Sequence, residues 1–349
     1  MTAAAPERAS EGIERVPEPP ILEVKKLTKF FKVGGGLRPE RLRALHDVSF
    51  ALRPRQVVAL VGESGSGKST IARVLIRLIQ PTSGQILFKG MNLLAAEPRR
   101  ASLHYRSKVQ MIFQDPFGSL NPVHTIGHHL ERPLIRHGKA KGRAELRQQV
   151  EALLETVGLS PAAEFAAKHP HQASGGQRQR VAIARAIAVD PEVILADEPI
   201  SMLDVSIRMG ILNLLERLKE ERDIAYLYIT HDLASARYFA DITMVMYAGH
   251  IVESAPSEAL MREPAHPYTR LLLSAVPDPR GSIRSALAAP GGAPKLVDPP
   301  PGCPFADRCP EVKRECRSSM PAPSIIAREH LVRCHLHPPG STAASTQPH

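Results

Sequence analysis

Tryptophan is absent from this sequence, and aromatic residues make up only 4% of it. Base stacking on single-stranded nucleic acid needs aromatic platforms, so the composition argues against that class. Long apolar runs are also missing. None approaches the ~18 residues of a membrane span, and the opening MTAAAPERASEGIE has no apolar core of the secretory kind. A chain that stays in the cytosol is the expectation. Acidic residues are outnumbered, with 45 Lys and Arg against 35 Asp and Glu, for a net charge of +10. Such a balance suits nucleic acid, an anionic membrane surface or an ordinary solvated exterior. No basic block with interleaved aromatics occurs, which favours the last. Cysteine is missing until residue 303; Cys303, Cys309, Cys316 and Cys334 all lie in a Pro-rich tail. In a cytosolic chain that clustering speaks for metal more than for disulfides.

What is present fits a globular chain of 349 residues, 43% hydrophobic and 23% charged, long enough for two modest domains or one with an appendage. Residues 1–20, rich in Ala, Pro and Glu, read as a disordered tail. β-like patterning begins at Ile21, Leu22 and Val24, continues at Val48, Phe50 and Leu52, and becomes a buried strand at Val57–Val61. A helix is expected from Lys68, with Ile71, Val74, Leu75 and Leu78 on one face and Pro81 and Gly84 ending it. Between about 115 and 175 the chain turns helical and polar. Leu146, Val150, Leu153, Leu154 and Val157 form a stripe there, closed by Gly158 as C-cap. Strand–helix–strand alternation resumes at Val193–Ala196, Ile207–Leu218 and Tyr226–Thr230. The expected organisation is an α/β core over 21–277 interrupted by a helical insert, an extension over 278–337, and a disordered tail over 338–349.

Residues Gly62 to Ser69 read GESGSGKS, the P-loop pattern. Its strand must turn sharply into its helix so that successive backbone N–H groups face one anion. Gly62, Gly65 and Gly67 permit that turn, and the helix N-terminus adds positive potential. Lys68 places a cation on the outer phosphates, and Ser69 offers a hydroxyl to Mg²⁺. The strand ending at Asp197 and Glu198 delivers two carboxylates to the edge of a parallel sheet, where ligands sit. Asp197 suits the Mg²⁺ shell and Glu198 suits polarising the attacking water. Ser174, Gly175, Gly176 and Gln177 form a second glycine-rich turn with capping-box spacing. They read either as a capped helix and nothing more, or as another helix N-terminus aimed at phosphate.

Taken in order, the P-loop, SGGQRQR, ILADEP, LDVS and ITHD resemble an ATP-binding-cassette (ABC) ATPase over roughly 21–277. The resemblance implies a P-loop NTPase (RecA-like) core, an antiparallel β subdomain that stacks adenine, and a helical subdomain. Carried over by position, it makes Gly62, Glu63, Ser64, Gly65, Ser66, Gly67, Lys68, Ser69 and Thr70 the phosphate cradle. Phe31 becomes the adenine-stacking aromatic, with Phe30 as its competitor. Gln114 becomes the Q-loop residue near Mg²⁺, Ser174–Gln177 the signature, Asp204 the D-loop residue and His231 the switch histidine. Lys68, Glu198 and His231 form the implied catalytic set. Two departures stand out: Ala173 replaces the usual Leu before the signature, and DEPISMLD carries Ile200 and Met202 in place of the usual residues.

HPYTRLLLSAVP, GCPFADRCP and MIFQDPFGSLNP resemble the ATPases of oligopeptide/dipeptide importers. That implies ATP and Mg²⁺ as cofactors, a second cassette subunit in a homo- or heterodimer, and two transmembrane permeases. A substrate-binding protein acts indirectly, nucleic acid has no part, and the chain sits on the cytoplasmic face of the membrane. Importers for nickel or oligosaccharides belong to the same wider group. The single cassette and the lack of a long coiled-coil insertion separate the chain from the translation and DNA-repair ATPases of the superfamily. The spacing C-x5-C-x6-C-x17-C is neither a common zinc-finger nor a bacterial ferredoxin pattern. The resemblance points to a 4Fe–4S cluster, while four thiols also suit zinc or no metal at all.

Overall fold

The computed structural model describes residues 18–34, 40–275 and 296–340. Most of the two expected disordered tails, and the chain around the expected boundary at 277, lie outside these residues.

Among the described residues, twelve strands form two sheets. The smaller is antiparallel, in the order β2–β1–β4–β5, from β1 (Leu22–Val33), β2 (Glu40–Leu52), β4 (Ser83–Phe88) and β5 (Met91–Asn92). The larger runs β11–β12–β10–β9–β3–β8–β7–β6. Its parallel centre consists of β3 (Val57–Val61), β6 (Val109–Ile112), β7 (Val193–Asp197), β8 (Ala225–Thr230) and β9 (Ile242–Tyr247). β10 (His250–Pro256), β12 (His330–Val332) and β11 (Ser324–Ala327) extend it antiparallel at one edge.

Every residue of β3, β7 and β8 is buried, as expected for a parallel sheet covered on both faces. Strand alternation then divides the interior in two. Val57, Ala59 and Val61 pack with the helical insert (Ile126, Leu130, Val150, Leu154), whereas Val58 and Leu60 pack with Leu22, Leu45 and Ile71. One central strand thereby holds the helical layer and the β subdomain on opposite faces.

Gly158 caps its helix (Arg143–Thr156) as expected. It has φ +73°, and the amides of Gly158 and Leu159 return to the carbonyls of Glu155 and Leu154 at 2.8 Å each. The helix after the P-loop differs from expectation. It spans Lys68–Leu75 and stops well before Pro81. Arg77 takes the left-handed position (φ +61°), and the amides of Arg77 and Leu78 bond to the carbonyls of Val74 and Arg73. The buried Arg77 guanidinium is held by the carbonyls of Leu93 and Glu97, so tertiary contacts hold a non-glycine residue in a conformation that glycine normally takes. Leu78 consequently leaves the apolar face and is 63% exposed.

The extension docks through a buried carboxylate. Glu253, 0% exposed, accepts from the amides of Ala265 (2.7 Å) and His266 (2.9 Å) and faces His330 Nε2 at 2.7 Å. Burial alone would raise its pKa, but the His330 contact and the two amides reverse this and leave it below the ordinary carboxyl range. Burial also lowers His266 to about 4 and His250 to about 3. Folding therefore holds both histidines neutral, whereas the unfolded chain protonates them near 6.5. Their contribution is complete above that value and declines as pH falls toward 4. The thermal midpoint should be level above pH about 7 and fall steadily between pH 6.5 and 4 in calorimetric scans. A midpoint unchanged through that window would contradict this account.

Candidate functional site

The P-loop leaves the end of β3 at the centre of the sheet and leads into the Lys68–Leu75 helix. Gly67 occupies the N-cap with φ +111° and provides no side-chain cap. The first-turn amides are therefore available to an outside acceptor, the arrangement that binds phosphate. The turn also packs too closely for a side chain, since a Cβ on Gly67 would stand 2.4 Å from the Ala44 carbonyl oxygen.

Lys68 is 6% exposed, and its Nζ donates to the carbonyls of Gly62 (2.7 Å) and Glu63 (3.0 Å). Burial lowers its pKa, while the carboxylates of Glu198, Asp197 and Glu63 oppose that shift. Asp197, at the end of β7, accepts from Ser69 Oγ at 3.1 Å. Burial raises its pKa, against the Ser69 hydrogen bond. A buried ammonium and a buried carboxyl, both displaced toward neutrality, gain from charged ligands of opposite sign: phosphate for Lys68 and a hard cation for Asp197 and Ser69. The donors present thus fit Mg²⁺ and a polyphosphate. The Ser66 hydroxyl is buried in the same loop with no hydrogen-bond partner among the described residues.

Beside this pair, three expected residues meet although they lie far apart in sequence. Gln114 Nε2 donates to Glu198 Oε2 at 3.0 Å, and His231 Nδ1 stands 3.2 Å from Glu198 Oε1. Glu198 follows β7 with φ +47°, and its amide donates to the Ile229 carbonyl at the end of β8. Strain of this kind in a non-glycine residue is held by surrounding structure and concentrates at functional sites.

The remaining expected residues stand on other elements and make no hydrogen bond to this group among the described residues. Ser174 and Gln177 form the reciprocal capping box, Gln177 N–H to Ser174 Oγ at 3.2 Å and Ser174 N–H to Gln177 Oε1 at 2.9 Å. Gly176 lies against Ile207, leaving no room for a Cβ unless that side chain shifts. Asp204 occupies the N-cap of the Val205–Arg222 helix without making a cap hydrogen bond. Phe31 lies on β1 opposite Leu42, with Lys29 Nζ 4.8 Å from its ring centroid. Ala173 and Ile200 are buried, whereas Met202 is exposed.

The four cysteines are unpaired and line one small cavity with His266 and Phe305. His266 Nδ1 accepts the Tyr268 amide, which leaves the ring proton on Nε2, a buried atom without a partner among the described residues. Burial, reinforced by the neighbouring thiols, pushes Cys303 up to about 12 and raises Cys309 and Cys334. Among the described residues no three His, Cys, Asp or Glu side chains have the spacing of a single-ion site. Sequence reasoning missed Arg308 and Tyr268 as residues touching the P-loop. Both stand in quoted motifs, but a contact reaching back 245 residues leaves no periodic signal.

A phosphate-cradling loop, an adjoining Ser–Asp pair and a carboxylate held by Gln and His together define a P-loop nucleotide hydrolase. The ABC transporter family model matches residues 45–201, and the model of the oligopeptide/dipeptide transporter C-terminal region matches 252–316. The oligopeptide transport ATP-binding protein AppF of Bacillus subtilis is 43% identical over 323 residues, covering 91% of this chain and 97% of that protein. The dipeptide transport ATP-binding protein DppF of Haemophilus influenzae is 43% identical over 318 residues, 90% and 96% of the two chains. Among solved structures, the dimeric post-hydrolysis state of the cassette MJ0796 bound to ADP and Pi matches with a TM-score of 0.58. It is 30% identical and covers 68% of this chain and 98% of that one. The chain belongs to the ABC transporter ATP-binding subunits of the oligopeptide/dipeptide importer family. It hydrolyses ATP to drive transport.

The close contact at Gly67 sets a clear test. Gly67→Ala should lower ATP turnover by on the order of 100-fold, because displacing the loop by even an ångström misaligns the phosphates. A phosphate-release assay on folded variant protein measures this, and near-normal turnover would refute the packing argument.

Proposed function

We propose that this subunit powers uptake of short peptides, with Glu198 as the residue that activates water. The observation carrying the assignment is the convergence of Gln114 and His231 on the two oxygens of Glu198, beside the Ser69–Asp197 pair. Lys68 and the P-loop amides hold the phosphates of ATP. Glu198 orients a water for attack on the γ-phosphorus and takes up its proton. The bond to ADP breaks, and phosphate leaves. His231 and Gln114 keep the carboxylate aimed. Mg²⁺, when bound at Ser69 and Asp197 with Gln114 nearby, neutralises phosphate charge. Phe31 stacks the adenine. Catalysis is positioning plus charge stabilisation.

The active unit in this reading is a dimer of cassettes, homo- or heteromeric. Ser174, Gly175, Gly176 and Gln177 present a helix N-terminus to the nucleotide of the partner cassette, and Asp204 lies at the same face. Exposed Met202 and Val205 beside Asp204 suit such a contact, and the similar cassette MJ0796 is dimeric. Two permease subunits dock at the helical insert, where an open groove of about 750 Å³ includes Leu78, Phe113 and Gln114. No helix among the described residues is long and apolar enough to cross a membrane, in keeping with a peripheral position on the cytoplasmic face. Peptide cargo is supported by the C-terminal family match and by the similarity to oligopeptide and dipeptide transport ATP-binding proteins.

Glu198→Gln should retain ATP binding and lose turnover by roughly 100-fold or more, accumulating an ATP-bound dimer on size-exclusion chromatography. Wild-type turnover in this variant would remove Glu198 from the role.

The four cysteines support a further element of the reading, a 4Fe–4S cluster. Four thiols around one cavity form a soft donor set, and binding would deprotonate them. Anaerobically purified protein should contain iron and absorb in the visible range, with both lost in Cys303→Ser. Colourless, iron-free anaerobic protein would overturn it.

A further inference from the structure

Glu63, the second residue of the P-loop, is held at each of its polar groups. Its amide donates to the Tyr268 hydroxyl at 2.9 Å. Its carbonyl accepts from Lys68 Nζ at 3.0 Å and from the Ser66 amide at 3.2 Å. Its carboxylate receives both terminal nitrogens of Arg308, at 2.9 and 3.0 Å. Two of these partners come from the C-terminal part of the chain: Tyr268 from the Pro267–Ser274 helix and Arg308 from the 3-10 turn Ala306–Arg308.

That turn lies between two cysteines. Its first amide, at Ala306, bonds to the Cys303 carbonyl at 3.0 Å, and Cys309 follows Arg308 directly. The guanidinium is itself constrained. The Arg308 side chain is only 16% exposed, and its guanidinium lies 5.8 Å from the ring centroids of Tyr247 and Phe305 and reaches the Tyr247 hydroxyl at 3.4 Å. Tyr247, Tyr268 and Phe305 pack ring against ring at 4.5–5.3 Å. A bidentate fork backed by packed rings fixes both the position and the orientation of its carboxylate, which a point-charge ammonium cannot do.

The loop held in this way contains the groups that meet phosphate. Lys68 rests on the carbonyls of Gly62 and Glu63, so a shift of Glu63 moves one of the two acceptors that place the ammonium. We propose that Arg308 is a positioning residue of the ATP site: by clamping Glu63 it sets the P-loop, and the cysteine-bearing extension thereby controls nucleotide affinity. The proposal rests on the P-loop being the ATP site. By linkage, whatever rearranges the turn between Cys303 and Cys309 changes ATP affinity, and ATP in turn changes the behaviour of that turn.

The test is a double-mutant cycle on the full-length chain, read by ADP-binding calorimetry and by the separate kcat and KM of ATP hydrolysis. Arg308→Ala should weaken ADP binding and raise KM roughly tenfold, the scale of a lost charged hydrogen-bond pair, with a smaller change in kcat. Arg308→Lys should recover only part of the loss. Glu63→Ala should weaken binding to a similar degree, and the double variant should be little worse than either single one. If Arg308→Ala melts far below the wild type, Glu63→Gln reads the same contact from the other side and must weaken binding comparably. Unchanged affinity in Glu63→Gln or in folded Arg308→Ala, or independent addition of the two losses, overturns the proposal. A wild-type chain that neither binds nor hydrolyses ATP would instead overturn the ATP-site reading itself.

Discussion

Lys68 carries a positive charge into a place nearly closed to water. Its ammonium pays a desolvation penalty that shows in its lowered pKa, and its surroundings are organised around that penalty. Two carbonyls of its own loop accept its protons, and the carboxylates of Asp197, Glu198 and Glu63 lie close enough to oppose the shift. Assembling these groups requires a parallel sheet whose central strand ends where neighbouring strands deliver acids. β3 supplies the loop, and β7, two places along the sheet, supplies Asp197 and then Glu198. β3, β7 and β8 are buried along their whole length, packed on both faces.

The same edge opens between two different layers. The helical insert covers one face of the sheet, and the β subdomain covers the other. The phosphate loop therefore emerges between two layers that can respond to different contacts. Gln114 belongs to the connection into the helical layer and touches Glu198 directly. Glu63 belongs to the loop and touches the C-terminal extension. The P-loop and Glu198 are thus in contact both with the layer that offers an exposed groove and with the segment that carries the cysteines.

Local chemistry was readable in advance wherever the interacting groups are neighbours in sequence. The P-loop turn, the reciprocal Ser174–Gln177 bonds and the Gly158 cap are each contained within a few residues. The reading failed at Leu78, where apolar periodicity continued past the real helix end. Arg77 holds the left-handed position there because its guanidinium finds acceptors at Leu93 and Glu97, and periodicity carries no information about such a partner. The addition of β11 and β12 to the large sheet was likewise invisible. Both strands are short, and their docking depends on Glu253, His330 and the amides of Ala265 and His266 meeting in the interior.

The sequence by itself determined the glycine-rich turn after a buried strand, the paired acids at the end of another and the capping box of the Ser174 helix. Each depends on spacing along a few residues or on a repeating apolar pattern. Tertiary structure alone decided that Gln114 and His231 would meet at Glu198, that the cysteines would share one cavity, and that Arg308 would close on Glu63. Such pairings depend on how sheet order and layer packing bring distant segments together. A hydrogen bond between residues 245 positions apart imposes no pattern on the chain between them.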